Sequence, residues 1–196
     1  LMDALKSAGN DADSQSMQLA LVFVSRCQNL ETEHNDTPNA AKVNDGGFYY
    51  SVTAGGQSAS GSTREGGLRS YGSMTYAGLK SMIYAGLDAD DKRVRAAVKW
   101  IGDNYTVTEN PNMGDAGLYY YYNTFAKSLS VLGQDEITDS DGKKHKWKAD
   151  LIHELAKRQQ KDGSWMNDNS KWLEGDANLA TGFALLALSY AKPDSE

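Results

Sequence analysis

The chain has one cysteine, Cys27, so it holds no internal disulfide framework and no zinc site built from several thiolates. It has three prolines and three histidines in 196 residues. Its longest aliphatic or aromatic run, residues 19–24, is far short of the roughly 20 residues that cross a bilayer. Positive charge is also short: 20 Lys and Arg stand against 26 Asp and Glu, a net charge of −6. That balance argues against nucleic acid or an anionic membrane surface as a partner. No P-loop, G-x-S-x-G or dinucleotide fingerprint is present, and nothing in the chain asks for a cofactor. Glycine and tyrosine are plentiful, at 19 and 11 residues. The 40% apolar and 23% charged shares fit a folded domain with a sizeable core.

The opening residues 1–9 read as the last turns of a helix that ends at Gly9. A chain that opens inside a helix is expected to be part of something longer, and its compartment is then not readable from a targeting segment.

Internal repetition is visible. Ala8-Gly9-Asn-Asp11-Ala12-Asp13 returns as Ala85-Gly86-Leu-Asp88-Ala89-Asp90, 77 residues on. An amphipathic pattern follows each copy, and a third runs over residues 146–160. After each comes a glycine turn leading to an aromatic or apolar residue: Gly47-Phe48, Gly117-Leu118-Tyr119 and Gly163-Ser-Trp165. A second kind of helix then follows, at about 68–85, 118–132 and 176–191, apolar on most faces and therefore expected to be buried on both sides. Alternating half-exposed and buried helices predict an all-α array of αα-hairpins, one domain over 1–196. Residues 137–147 predict a short hairpin turning at Asp141-Gly142. Residues 30–67 form a long loop, rich in Gly and Ser over 49–67, long enough to serve as a lid.

Gln159-Gln-Lys-Asp-Gly163-Ser-Trp165 matches the Q-x-x-x-G-x-W core of the repeat of squalene cyclases. The segments Leu68-Arg-Ser-Tyr-Gly-Ser-Met-Thr-Tyr-Ala-Gly-Leu-Lys80 and Gly117-Leu-Tyr-Tyr-Tyr-Tyr122 are also similar. The chain thus resembles the prenyltransferase and squalene-oxidase repeat family, especially its bacterial members, from about residue 14 to 191. The resemblance implies a terpenoid cyclase-like α/α toroid, of which three hairpins make a part. The remaining repeats or a protein partner would cover the open edge. In the turn itself, the Gln is expected to hydrogen-bond free backbone groups, Gly163 to take φ > 0 and Trp165 to stack over a helix end. The middle copy carries Asn104 and Leu118 instead.

Three constellations are candidates for chemistry. Asp88-Ala-Asp90-Asp91 reads D-x-D-D, the acid motif of class II terpene cyclases, in which one protonated Asp donates to an alkene or epoxide. The same acids open a helix, where Asp caps free N–H groups and the dipole lowers a carboxylate pKa, opposite to what an acid needs. Asp150 and His153 share a helix face, but two ligands do not make a zinc site, and Ser25-Arg26-Cys27 lacks the Asp-x-Cys of protein prenyltransferases. Asp139-Ser-Asp141-Gly142 is a turn rather than a calcium loop, with no bidentate Glu after it.

The third constellation is aromatic. Tyr71, Tyr76 and Tyr119, Tyr120, Tyr121 and Tyr122 begin two apolar helices just after glycine turns. Tyrosine joins apolar area to a hydroxyl and suits a small-molecule, isoprenoid or glycan ligand, with Arg69 and Asn123 as further polar contacts. The alternative is a packed core with hydroxyls tied to backbone. The leading expectation is a cyclase-like scaffold with an aromatic-lined concave ligand surface. A cyclase or polysaccharide-active enzyme, and a protein-interaction module using the open edge, are the other two.

Overall fold

A computed structural model describes residues 2–9 and 11–192. Among these residues it has eight α-helices and one two-stranded antiparallel sheet, so the all-α expectation holds. The chain forms two compact units, Leu1–Ile101 and Gly102–Glu196.

The first unit contains α1 (Met2–Ser7), α2 (Gln15–Arg26), α3 (Ala40–Val43) and α4 (Gly72–Tyr84), and most of α5 (Lys92–Asp103). The sequence repeat is a repeat of turns. Gly9 and Gly86 both adopt left-handed backbone, with φ of 83° and 90°. A Cβ on Gly86 would stand 2.6 Å from the Ala12 Cβ, so no other residue fits there. Ser14 then caps α2 by accepting the Met17 amide, and Asp91, 77 residues on, accepts the Arg93 amide at 2.8 Å. Helix α4 begins at Gly72 rather than near 68, because Tyr71 is extended and donates its amide to the Phe48 carbonyl.

The long loop contains α3, which sequence periodicity did not show, and a 3₁₀ turn at 53–55. It is anchored along its length. Asn35 donates to the Gln28 carbonyl, Asn29 to the Leu68 carbonyl and the Tyr49 hydroxyl to the Arg26 carbonyl. Those ties hold it on the core of its own unit, not as a free lid.

The second unit contains α6 (Leu118–Leu132), β1 (Ile137–Thr138), β2 (Lys144–His145), α7 (Trp147–Arg158) and α8 (Ala177–Ala191). The hairpin turns where expected. Asp139 accepts the amides of Asp141 and Lys143, and Gly142 takes φ 80°. Helices α6 and α8 are parallel neighbours: the Tyr120 ring meets Phe183, and seven residues on the Lys127 ammonium stands 5.9 Å from the Tyr190 ring. The first unit repeats this pairing, with Lys6 of α1 5.5 Å from the Tyr84 ring at the end of α4.

Two faces depart from expectation. Helix α8 was expected to be buried on both sides, yet Leu185 and Leu186 are exposed. Helix α2 turns Leu19, Val22 and Phe23 to solvent, opposite its buried Met17, Leu21 and Ser25. No helix among the described residues is long and apolar enough to cross a membrane.

Candidate functional site

The glycine turns behave as the sequence implies, at the level of single hydrogen bonds. Gln159 donates its side-chain amide to the Gly163 carbonyl at 2.9 Å, and Gly163 has φ 89°. The Trp165 indole is buried and donates to the Leu155 carbonyl near the end of α7. The Trp165 backbone amide donates to the Thr181 hydroxyl of α8 at 3.0 Å. In the first unit the Phe48 amide donates to the Thr75 hydroxyl of α4, also at 3.0 Å, and buried Gln28 donates to the carbonyls of Gly46 and Arg93. In the middle copy the amide that ties the turn is Asn110, buried and donating to the Ala116 carbonyl. The sequence reading placed that role at Asn104.

The acidic motif is a helix cap. Asp88 accepts the amides of Asp90 and Asp91. Asp91 accepts the Arg93 amide and grips the Arg93 guanidinium with both oxygens, at 3.0 and 2.7 Å. The Arg93 hydrogen bond holds the Asp91 carboxyl below the usual range. Asp90 is exposed. A proton-donating Asp needs burial and a raised pKa, and the geometry supplies the opposite at Asp91 and no burial at Asp90.

Three hydroxyls of the Tyr119–Tyr122 run are tied to backbone. Tyr121 donates to the Thr106 carbonyl at 2.6 Å, Tyr122 to Val107 at 2.9 Å and Tyr119 to Met166 at 3.4 Å. Burial pushes the Tyr119 phenol up to about 12 and that of Tyr122 further up. Tyr71 and Tyr76 are buried in the first unit. Of the expected ligand residues, Tyr120 and Arg69 are exposed and Asn123 is half-buried. Arg69 donates from Nε to the Ser62 carbonyl.

Around Tyr120 lies a rim that the sequence reading missed. The N-terminus of α6 has no side-chain cap from its own N-cap position, Gly117. The buried carboxylate of Glu174 serves instead, accepting the amides of Tyr120 at 2.8 Å and Tyr119 at 3.2 Å. It also accepts the Asn167 side-chain amide at 2.8 Å, and the Glu174 carbonyl accepts the Asn167 backbone amide. Just before Glu174, Trp172 and Leu173 both take left-handed backbone, with φ of 56° and 65°. Two consecutive non-glycine residues there cost on the order of 1–3 kcal/mol each, and persist only when the surroundings fix them. The result is a fixed loop that leaves Trp172 50% and Leu173 75% exposed, with the indole edge against Gly117. Tyr120 and Met166 add further exposed apolar surface. The only sequence signal was the Lys171-Trp-Leu-Glu174 run itself, which fits no periodicity.

Two other places carry polar groups. The His145 ring stacks on Tyr105 at 4.1 Å, with Nε2 2.8 Å from Asp139, and the Tyr105 hydroxyl donates to Asp150. Asp150 thus meets Tyr105, and His153 is exposed. Among the described residues no three His, Cys, Asp or Glu side chains come together as metal ligands. Between the end of α6 and the hairpin lies an open cleft of about 590 Å³, lined by Asp135, Glu136, Lys144, Lys146 and Lys148 among others. Glu136 pairs with Lys144 and Asp135 with Lys148.

Comparison of the chain with protein-family models, curated proteins and solved structures finds no match.

Proposed function

We propose that the chain is a squalene cyclase-like repeat scaffold, its hairpins part of an α/α toroid, which binds a ligand at the rim around Tyr120 and Trp172. The matching turns at Thr75 and Thr181 and the parallel packing of α6 and α8 support the repeat reading. One observation carries the binding reading: the left-handed Trp172-Leu173 pair, locked by buried Glu174 with its side chains in solvent. The strained pair seats Glu174 under α6 and lays the indole edge against Gly117 while leaving half of the ring in solvent, and such strain gathers at binding sites. An exposed indole and phenol take either the apolar chain of an isoprenoid or the flat C–H face of a sugar ring. Asn123, Asn169 and Asn178 stand nearby in sequence to provide polar contacts.

The other three tryptophans, Trp100, Trp147 and Trp165, are buried, so a change in indole emission on ligand addition reports Trp172. Titration with farnesol and, separately, with neutral oligosaccharides is expected to give a saturable emission change with one class. Trp172→Ala removes it. No change with either class, or a change that survives Trp172→Ala, contradicts the reading.

A further inference from the structure

The polar groups around Trp172 discriminate between the two ligand classes. A Cβ on Gly117 would stand 3.0 Å from Cε3 and Cζ3 of the indole, so the turn before α6 runs along one edge of the ring. The Asn167 side-chain amide donates to the Asp115 carbonyl at 2.7 Å and ties that turn to the loop that carries Trp172. The bond brings together two exposed acids, Asp115 two residues before Gly117 and Asp168 next to Asn167. Among the described residues neither carboxylate has a hydrogen-bond or ion-pair partner.

Donors stand on the same loop. Asn169 uses its side-chain oxygen to accept the Lys171 amide at 3.1 Å, which leaves its NH₂ group to donate. The Lys171 ammonium stands 4.5 Å from the centroid of the Trp172 ring. An isoprenoid chain laid on this indole would press CH₂ and CH₃ groups against the two carboxylates, the amide and the ammonium. It would strip their water and replace none of it. A pyranose does the reverse. Its C–H face covers the indole, and the hydroxyls at its edge, each both donor and acceptor, take the place of that water. Hydroxyls that donate to a carboxylate form charge-assisted bonds, stronger than neutral ones. Charge narrows the class further. Exposed Asp115, Asp168 and Asp176 outnumber Lys171, so a uronate or sulfated sugar meets repulsion that a neutral sugar does not.

We infer that the rim takes a neutral carbohydrate, stacked on Trp172 and hydrogen-bonded at the edge of its ring by Asp115 and Asp168. The inference rests on the rim being the binding site, and it names the ligand class. An open platform covers one face of the ligand rather than most of it, so affinity is in about the millimolar range.

The test is a titration of the whole chain with cellohexaose, maltohexaose and mannohexaose, with farnesol as the apolar comparison, each read by Trp172 emission. At least one oligosaccharide is expected to give a saturable change, and farnesol none. Asp115→Ala and Asp168→Ala are each expected to raise the Kd of that sugar about tenfold, as the loss of a charge-assisted hydrogen bond does. Both side chains are exposed, and the Asn167 bond runs to the Asp115 main chain, so both variants are expected to retain native helicity. If Ala disturbs folding at either position, Asn there provides the same comparison. A farnesol response at Trp172, with or without one from a sugar, overturns the carbohydrate assignment and leaves the rim as a binding site. No response to any of the four probes overturns both. A sugar response whose Kd is unchanged in both variants overturns the inference as well.

Discussion

The Glu174 carboxylate lies 2.8 Å from the Tyr120 amide and stands in for the cap that Gly117 cannot provide to α6. One side chain thus joins the start of α6 to the strained loop that presents Trp172. Glu174→Ala would take the acceptor from the buried amide of Tyr119 and the half-buried amide of Tyr120, which costs about 1–3 kcal/mol. Urea unfolding should show that loss. Glu174→Gln, which keeps one acceptor oxygen, should lose less. Equal stability for both variants would show that the cap contributes nothing.

The helices that make the scaffold were legible because burial imposes a period. Helix α6 begins and ends where the apolar pattern does, and α8 does so within a residue. The Q-x-x-x-G-x-W turn was legible because its chemistry is local: Gln159, Gly163 and Trp165 act within a few residues of one another. The rim was not. Glu174 caps a helix whose first residue lies 56 positions earlier in the chain, and no local pattern announces a contact that distant. The tyrosines show the same limit. Four in a row indicate an aromatic cluster, but the partners that bury three of them, such as the carbonyls of Thr106 and Val107, are set by tertiary packing.

The two threonine contacts make a matched pair of tests. Thr75→Val and Thr181→Val keep shape and remove the acceptor for the amides of Phe48 and Trp165. Each should cost about 1–3 kcal/mol. Trp165→Ala should cost more, about 3–5 kcal/mol, through the loss of a large buried ring. Thermal or urea unfolding reads all three. A neutral Thr181→Val beside a costly Thr75→Val would break the equivalence of the two turns.

The acids at the head of α5 separate by role. Asp91→Ala removes a cap and leaves the buried Arg93 guanidinium without its fork partner, so a loss of at least 1–2 kcal/mol is expected. Asp90→Ala, on an exposed carboxylate, should stay within about 0.5 kcal/mol. The Asp91 carboxyl is held below its ordinary range, so its folded pKa is lower than its unfolded one. Its stabilisation is therefore fully present above the unfolded carboxylate value of about 3.9 and fades as pH falls through the folded value. The stability gap between wild type and Asp91→Asn should be constant from about pH 5 to 7 and shrink in acid. A gap that widens on acidification would reverse the assignment.

Cys27 is buried, and burial pushes its thiol up to about 11. At pH 8 the thiolate that reacts is scarce as well as shielded. Iodoacetamide should leave the native protein unmodified and alkylate it fully in denaturant, as intact mass will show. Rapid labelling of the native chain would place the thiol in solvent.

The most direct measurement is a titration followed by amide and indole chemical shifts in uniformly ¹⁵N-labelled protein. Farnesol and neutral oligosaccharides would be added separately. The expected result is a saturable shift of the Trp172 indole N–H together with the backbone amides of Tyr120, Leu173 and Glu174, while the indoles of Trp100, Trp147 and Trp165 stay in place. Shifts confined to the cleft at Lys144, Lys146 and Lys148, or no shifts with either ligand class, would contradict a binding site at the rim.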